Sequence, residues 1–211
     1  MQKLDLRKEW KHLYAPSAKR VEIVDVPALS FAMIDGRITS GHSLAESPEF
    51  QQAVEALYGI SYTLKFASKL RKDNPIDYPV MALEGLWWTE SGEFDIAKPE
   101  GWLWTLMIMQ PDHITPEMFQ EALRRLKEKR DNPALAKLRL ERFQEGLCIQ
   151  TMHVGPYAQE PATLERMKAF ARENGYMLCG KHHEIYLGDP RRAQPEKLKT
   201  ILRHPIQKGQ V

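Results

Sequence analysis

Cysteine is scarce in this sequence, and long apolar runs are missing. Only Cys148 and Cys179 occur among 211 residues, and both lie in apolar segments, so we expect reduced core side chains rather than a disulfide framework. No apolar stretch approaches the roughly twenty residues that span a bilayer, and no apolar segment of a signal peptide follows the charged residues 1–9. The sequence therefore predicts a cytoplasmic protein without a membrane partner.

Charge of one sign is not in excess either. The chain has 30 Lys and Arg against 28 Asp and Glu, a net charge of +2, so no overall field favours nucleic acid. A basic run at 124–130 is mixed with Glu121 and Glu128 and carries no interleaved aromatic residue, which is typical of a solvated helix face. We expect no direct nucleic-acid partner.

Motifs for metal, phosphate or serine-nucleophile chemistry are not found. The glycines are not arranged for phosphate or dinucleotide binding, and no nucleophile-elbow motif surrounds a serine. His182 and His183 are neighbours in a predicted strand, so their side chains point apart and cannot easily share one ion. We predict that the protein holds no metal and uses no cofactor.

The sequence does contain one order of predicted elements that occurs twice. The first half has strands at 21–26 and 29–34, an Asp35-Gly36 turn signal, a helix at 48–72, and strands at 80–89 and 102–110 around a polar loop at 90–101. The second half has a strand at 147–154, a helix at 161–173, and strands near 176–187 and 200–204. Helices at 116–130 and 134–142 connect the halves.

This repetition predicts an α+β fold. Tandem β-α-β-β repeats related by a pseudo-twofold axis would form antiparallel sheets around a central ligand groove, with the helices on the outer face. We interpret residues 1–211 as a single domain with an N-terminal arm (1–20), a first half (21–110), linker helices (111–145) and a second half (146–206). We expect the arm to pack over the body because Trp10 and Tyr14 would otherwise be exposed.

Glu184 is the residue that says most about function. It lies within the apolar strand 182–187, where alternation would place His182, Glu184 and Tyr186 on one face. A carboxylate there must be solvated, hydrogen-bonded or paired, because burying it alone is very unfavourable. Glu184 is therefore either an edge-strand glutamate in water or part of a pocket that receives a cation or a reactive electrophile.

Short segments over nearly the whole chain carry a family resemblance. They are Leu4 to Trp10, Leu13 to Pro16, Val24 to Pro27, Met33 to Gly36, Ala56 to Tyr58, Leu83 to Trp88, His153 to Tyr157 and His183 to Arg192. In these segments the chain resembles the GyrI-like family of small-molecule-binding domains, which is related to the effector domains of multidrug-sensing transcription activators. Because no helix-turn-helix domain precedes Val21, we do not expect a transcription-factor role.

The resemblance implies a fold of two β-α-β-β modules around a ligand groove, and it also implies a site. In the sensor relatives a buried glutamate with aromatic neighbours receives flat, often cationic drugs, and Glu184 stands at the position that looks equivalent. Some stand-alone members hydrolyse the strained cyclopropane ring of DNA-alkylating natural products, with a glutamate and a tyrosine implicated. By that resemblance Glu184 and Tyr157 are the expected catalytic pair.

Aromatic side chains are the candidates for holding a flat ligand. The predicted ligand-binding residues are Trp87, Trp88, Trp102, Trp104, Tyr58, Tyr62, Glu84, His182 and Tyr186. Adjacent strand residues face opposite ways, so at most one of Trp87 and Trp88 lines the groove directly. Each prediction has an alternative: core packing for any single tryptophan, a solvent-facing Glu84, and an ordinary turn residue at Tyr157.

Three functions stay open on the sequence. The first is a hydrolase of flat, toxic, strained electrophiles, in which Glu184 takes a proton from water while Tyr157 holds that water or an oxygen that becomes negative. Direct attack by the Glu184 carboxylate, through a transient ester, is the alternative mechanism. The second function is a non-catalytic drug binder or sensor. The third, suggested by the family name alone, is inhibition of a topoisomerase, and no protein partner is defined.

Overall fold

The halves of the chain form one continuous antiparallel sheet. The computed structural model describes residues 1–38, 47–90, 101–189 and 192–209, so most of the predicted loop at 90–101, and Pro190 and Arg191 of the resemblance segments, lie outside the described residues. The strands are β1 (Gln2–Lys3), β2 (Glu22–Val26), β3 (Leu29–Arg37), β4 (Ile76–Asp77), β5 (Leu83–Trp88), β6 (Leu103–Gln110), β7 (Arg139–Phe143), β8 (Gly146–Val154), β9 (Tyr176–Leu178), β10 (His182–Tyr186) and β11 (Lys199–Lys208). The helices are α1 (Leu6–Glu9), α2 (Lys11–Tyr14), α3 (Pro48–Lys69), α4 (Pro116–Lys129) and α5 (Glu160–Glu173), with short 3-10 helices at Pro133–Lys137, Tyr157–Gln159 and Pro195–Lys197.

The order of the strands relates the halves by a pseudo-twofold axis. That order is β2-β8-β11-β10-β5-β6-β3-β7, with β9 paired to β11. Apart from the short strands β4 and β9, the units β3-α3-β5-β6 and β8-α5-β10-β11 have the same succession of elements. β5 and β10 meet antiparallel at the centre, where Glu184 lies opposite Gly85. The predicted α+β fold of paired β-α-β-β units is confirmed, and the units join edge to edge.

Helices α3 and α5 pack on the same side of the sheet, which we call the helix face. Helix α3 contacts β3 and β6, and α5 contacts β8 and β9. The side chain of Gln110 donates to Ser61 Oγ of α3 at 3.0 Å, and His153 Nδ1 lies 2.9 Å from Thr163 Oγ1 of α5. The central strands β5 and β10 therefore lie between the two helices.

Side-chain caps decide where two of the long helices begin. Ser47 accepts a hydrogen bond from the Phe50 amide and Thr115 from the Met118 amide, each at 3.3 Å. Pro48 and Pro116 follow these caps in the first helical turn, where proline loses no hydrogen bond. Both helices therefore begin where the sequence predicts. No helix within the described ranges has both the length and the apolar character needed to cross a membrane.

The N-terminal arm covers the opposite side of the sheet, which we call the arm face. Leu13 of α2 is fully buried, and Tyr14 is 6% exposed. The Leu13 carbonyl accepts from Arg203 Nη2 at 2.8 Å, and the Tyr14 hydroxyl donates to Glu84 Oε1 at 2.6 Å. The arm thus packs over the body, as its aromatic residues predict.

The connection between the halves differs from the sequence-based expectation. A helix is predicted at 134–142, whereas the chain forms the 3-10 helix Pro133–Lys137 and then the strand β7. Residues Arg139–Phe143 pair with β3 at the end of the sheet. Pairing with the open edge of β3 gives the backbone N–H and C=O groups of β7 hydrogen-bond partners. An isolated helix of this length is only marginally stable.

Two glycines also change the predicted strand limits. Asp35 and Gly36 do not turn the chain but continue β3, where Gly36 pairs with Trp104. A Cβ on Gly36 would lie 2.1 Å from the Trp104 ring, so the glycine permits the indole to pack directly on the strand. Gly180, with φ of 66°, divides the strand predicted at 176–187 into β9 and β10.

Candidate functional site

The Glu184 carboxylate is nearly buried and held by hydrogen bonds on both oxygens. His182 Nε2 lies 3.1 Å from Oε1, and the Tyr186 hydroxyl donates to Oε2 at 2.7 Å. Glu184 is 7% exposed. Since a carboxylate only accepts, the proton of the histidine contact lies on His182 Nε2. Alternation along β10 brings these three side chains together on the helix face, as the sequence predicts.

Gly85 makes room for the Trp87 indole next to this carboxylate. It lies opposite Glu184 in the sheet, and a Cβ on Gly85 would lie 2.8 Å from Trp87 Nε1. The Trp87 indole can therefore lie along its own strand, where its Nε1 donates to the Tyr186 hydroxyl at 3.2 Å. The chain from Trp87 through Tyr186 to Glu184 is a fixed hydrogen-bond relay, which orients the carboxylate.

A second carboxyl group, Glu160, faces the same region from the first turn of α5. It is 2% exposed and hydrogen bonded to Thr200 of β11. Burial, with a further contribution from the Glu184 charge, raises the pKa of Glu160 to about 9. Glu160 is therefore a neutral acid at pH 7. Among the described residues, its Oε1 atom has no hydrogen-bond partner.

We call His182, Glu184, Tyr186, Glu160 and Thr200 the Glu184 cluster. Tyr157 lies at the exposed side of this cluster. Its ring meets the Tyr186 ring edge-on, with centroids 6.2 Å apart and an interplanar angle of 84°, and Tyr157 is 38% exposed. The turn before it is fixed by Gly155, whose φ is 139°, and by His153 Nε2, which lies 3.2 Å from the Pro156 carbonyl oxygen. The structure thus brings Tyr157 to the Glu184 cluster.

The phenols of Tyr157 and Tyr186 are held in the neutral form. Burial raises the pKa of Tyr157 to about 12, and the neighbouring Glu184 charge contributes to the same shift. Burial and the adjacent Glu184 charge raise the pKa of Tyr186 well above its ordinary value. Both hydroxyls are therefore hydrogen-bond donors over the physiological pH range.

Three of the predicted tryptophans pack together on the helix face. Trp87 is 1% exposed, Trp104 is fully buried and Trp102 is 7% exposed. The Trp87 and Trp102 centroids are 5.7 Å apart, and Phe50 of α3 stacks on Trp87 at 6.2 Å. These rings form an aromatic wall that is continuous with the Glu184 cluster through Trp87, and most of their area is core packing.

Trp88 points to the arm face. Its ring lies 3.4 Å from the Lys181 ammonium, a cation-π contact. The structure does not bring Trp88 to Glu184, because Trp87 already occupies the helix-face position and successive residues of a strand alternate.

Glu84 is fully buried in an ionic network on the arm face. His183 Nε2 lies 3.0 Å from Glu84 Oε2, and His183 Nδ1 lies 2.9 Å from Glu145 Oε2, which also meets Arg203 Nη1 at 3.4 Å. Although burial opposes it, the charges of Glu145 and Glu84 raise the pKa of His183 to about 9. We call these residues, with Tyr14, the arm network. Glu84 is thus neither beside Glu184 nor in solvent.

Tyr58 and Tyr62 lie on the outer side of α3, away from the sheet. They line a groove of about 1090 Å³ between α3 and α4, and Tyr62 is 49% exposed. Their four-residue spacing predicts a shared helix side, but that side faces α4. The structure does not bring them to Glu184.

Glu160 and Thr200 are the residues of the cluster that the sequence does not single out. An acidic residue at 160, directly before Pro161, is an ordinary first-turn residue of a helix. Its burial depends on where α5 docks on the sheet. Nothing in the sequence around residue 160 therefore indicates that the Glu160 side chain is buried.

Known proteins share this architecture. The GyrI-like small molecule binding domain model matches residues 108–207. An uncharacterized conserved protein from Listeria innocua is 40% identical, with a TM-score of 0.87 over 97% of this chain and 100% of its own. A hydrolase from Listeria innocua is 39% identical, with a TM-score of 0.85 over 98% of this chain and 100% of its own.

A more distant protein shows the fold alone. The C-terminal domain of EcmrR is 11% identical, with a TM-score of 0.55 over 90% of this chain and 98% of its own. None of the curated proteins compared with the chain matches it.

Proposed function

The chain belongs to the GyrI-like family of small-molecule-binding domains, and on that premise we propose that it binds flat hydrophobic or cationic xenobiotics beside Glu184 and hydrolyses strained electrophiles among them. The proposed substrates carry a strained cyclopropane ring, as do the DNA-alkylating natural products that the resemblance implies, and a dienone conjugated to that ring accepts the electron pair when the ring opens. The 39% identical hydrolase supports a hydrolytic reaction, and the biological role would be detoxification.

The observation that carries the proposal is the arrangement around Glu184. Its carboxylate is 7% exposed, both oxygens accept hydrogen bonds, and the aromatic wall adjoins it through Trp87. A desolvated carboxylate of fixed orientation interacts more strongly with a cation or a water proton than one in bulk solvent does. Aromatic faces tolerate flat ligands of different shape.

The proposed reaction is addition of water to the strained ring. Glu184 takes a proton from a water molecule as its oxygen attacks the cyclopropane carbon, and Tyr157 donates a hydrogen bond to the substrate oxygen that becomes negative. Tyr186 and His182 keep the Glu184 carboxylate in one orientation. General base catalysis contributes about 10²- to 10⁴-fold, which suffices for a substrate already activated by strain.

Replacement of the carboxylate by an amide tests this role. With a spirocyclopropyl cyclohexadienone, whose ring opening by water gives a hydroxyethyl phenol, Glu184→Gln should lower kcat by about 10²- to 10⁴-fold. Binding of the phenol product, measured by calorimetry, should change little because the amide keeps the shape of the side chain. Glu165→Gln on the exposed side of α5 is the matched control and should behave as wild type. Unchanged kcat in Glu184→Gln would remove Glu184 as the base.

Single turnovers in oxygen-18 water separate the two mechanisms. If water attacks directly, the label enters the product in the first turnover. If the Glu184 carboxylate attacks and forms an ester, the first product carries unlabelled oxygen and the label enters Glu184. We expect label in the product.

The buried charge also favours a second function, binding of flat cations without turnover. In that case Glu184→Gln weakens binding of a flat cation such as ethidium and leaves binding of a neutral flat ligand of similar size unchanged. The absence of any phenol product from the dienone with wild-type protein would favour this second function over hydrolysis.

A further inference from the structure

Glu160 is a buried carboxyl group that the reaction described above does not use. It lies at the start of α5, is 2% exposed, and is hydrogen bonded to Thr200, which pairs with Tyr186 across the sheet. Both oxygens of Glu184 are engaged by His182 and Tyr186, whereas Glu160 Oε1 has no partner within the described part of the chain. A buried polar atom left in this way is unfavourable for the fold and is a feature typical of functional sites.

The surroundings of the two carboxyl groups fix their charge. Within the described ranges, the ionisable groups on the helix face around them include Tyr157, Tyr186, His153, His182 and His204. The Asp189 charge acts on Tyr157, and the Thr200 hydroxyl is hydrogen bonded to Glu160. Burial holds His204 neutral by lowering its pKa to about 4, and both phenols are neutral. Burial, with a further contribution from the Glu184 charge, raises the pKa of Glu160, so Glu160 is the carboxyl group of this region that holds a proton at pH 7.

We infer that Glu160 is the general acid of the site and gives its proton to the substrate oxygen while Glu184 acts as the base. This inference rests on the hydrolytic function proposed above. In the ring opening, the water oxygen forms a bond to the cyclopropane CH2 carbon and its proton passes to Glu184. The bond from that carbon to the ring breaks, its electron pair moves through the dienone to the carbonyl oxygen, and Glu160 protonates that oxygen to give the phenol.

The acidities of the available donors favour Glu160 over Tyr157. The product phenol has an ordinary pKa of about 10. Glu160, with a pKa of about 9, can protonate a phenolate favourably, whereas Tyr157, with a pKa of about 12, cannot. Tyr157 is therefore the hydrogen-bond donor that holds the oxygen, and Glu160 is the proton donor.

The same pair restores itself after each turnover. The reaction leaves a proton on Glu184 and a negative charge on Glu160. Transfer of that proton between the two carboxyl groups, directly or through solvent, returns the starting state, and the net reaction is addition of one water molecule. No other reactant is required.

The dependence of kcat on pH tests this assignment. Wild-type kcat for the spirocyclopropyl cyclohexadienone should fall above about pH 9 as Glu160 loses its proton. Glu160→Gln should lower kcat at pH 7 by about 10²- to 10⁴-fold, leave KM nearly unchanged and remove the fall above pH 9. Glu165→Gln should keep the wild-type profile. A purely structural role for Glu160 would lower kcat without removing the alkaline fall.

The outcomes separate this inference from the proposed function. If Glu184→Gln is inactive while Glu160→Gln keeps wild-type kcat or keeps the alkaline fall, Glu160 is not the acid and the hydrolase function stands. If Glu184→Gln is as active as wild type, the proposed base is wrong, and inactivity of the wild-type protein would overturn both proposals.

A second measurement uses the wild-type protein and does not depend on an active variant. With glutamate labelled by carbon-13 at Cδ, one carboxyl resonance should titrate near pH 9. A spectrum in which every glutamate titrates below pH 7 would overturn the assignment.

Discussion

Glu84 and Glu184 stand on neighbouring central strands, but their side chains leave the sheet on opposite faces. Glu84 lies opposite Ile185, and Glu184 lies opposite Gly85. The two glutamates therefore differ by one residue in the register, which places their side chains on opposite faces. The sheet thus separates two charged centres. Glu184 and Glu160 form one on the helix face, and the arm network, in which His183 binds Glu84, forms the other.

Replacement of Glu160 by glutamine should stabilise the protein at alkaline pH. Its folded-state pKa of about 9 is raised above the ordinary value of 4.5. The stabilisation from protonated Glu160 is therefore complete below about pH 4.5 and is lost as the pH rises through about 9. Glutamine does not titrate, so the Tm of Glu160→Gln minus that of wild type should increase from pH 5 to pH 9. The increase should be about 2–4 °C for each kcal/mol of unfolding free energy that wild type loses over this range.

Thermal unfolding of Glu165→Gln over the same pH range is the control, since Glu165 is exposed on the same helix. A difference in Tm between Glu160→Gln and wild type that stays constant from pH 5 to pH 9 would show that Glu160 is ionised in the folded protein.

The arm network should matter for stability and not for turnover. Tyr14→Phe removes the hydroxyl that donates to Glu84 Oε1 and leaves a buried carboxylate oxygen without that donor, which costs about 1–3 kcal/mol. We expect a lower urea midpoint with unchanged kcat, because the sheet separates Glu84 from Glu184. Tyr62→Phe, at an exposed hydroxyl, should change neither. A loss of kcat comparable to that of Glu184→Gln would show that the two faces are coupled.

Gly85→Ala should damage the site through Trp87. The new Cβ would lie 2.8 Å from Trp87 Nε1, so the indole must shift and its hydrogen bond to Tyr186 must lengthen or break. We expect a loss of about 1–3 kcal/mol in stability and a lower kcat, because Tyr186 then holds Glu184 less firmly. Gly188→Ala, where the nearest atom would be 3.6 Å away, is the matched control. Wild-type kcat in Gly85→Ala would show that the position of Trp87 does not influence the site.

Alternation within a strand correctly predicts which side chains of β10 share a face. His182, Glu184 and Tyr186 share a face of β10, and hydrogen bonds join them. Alternation cannot predict the relation between Glu84 and Glu184, since that depends on the register of β5 against β10. A shift of one residue moves a side chain to the other face, and the two strands are about a hundred residues apart in the sequence.

Helix docking is the other part that the sequence does not determine. The spacing of Tyr58 and Tyr62 predicts that they share a side of α3, but only the packed structure shows that this side faces α4. The burial of Glu160 likewise follows from the seating of α5 over β11. Caps, prolines and apolar periodicity define the ends of α3 and α4, whereas long-range packing decides which residues of a helix reach the site.

A crystal structure of the protein with the ring-opened phenol product bound tests the central claim most directly. We predict that the ligand ring lies on the helix face beside Trp87, with a ligand oxygen about 2.7–3.2 Å from a side-chain oxygen of Glu184, Glu160 or Tyr157. A ligand bound instead in the groove between α3 and α4, against Tyr58 and Tyr62, with Glu184 contacting only His182 and Tyr186, would contradict the account.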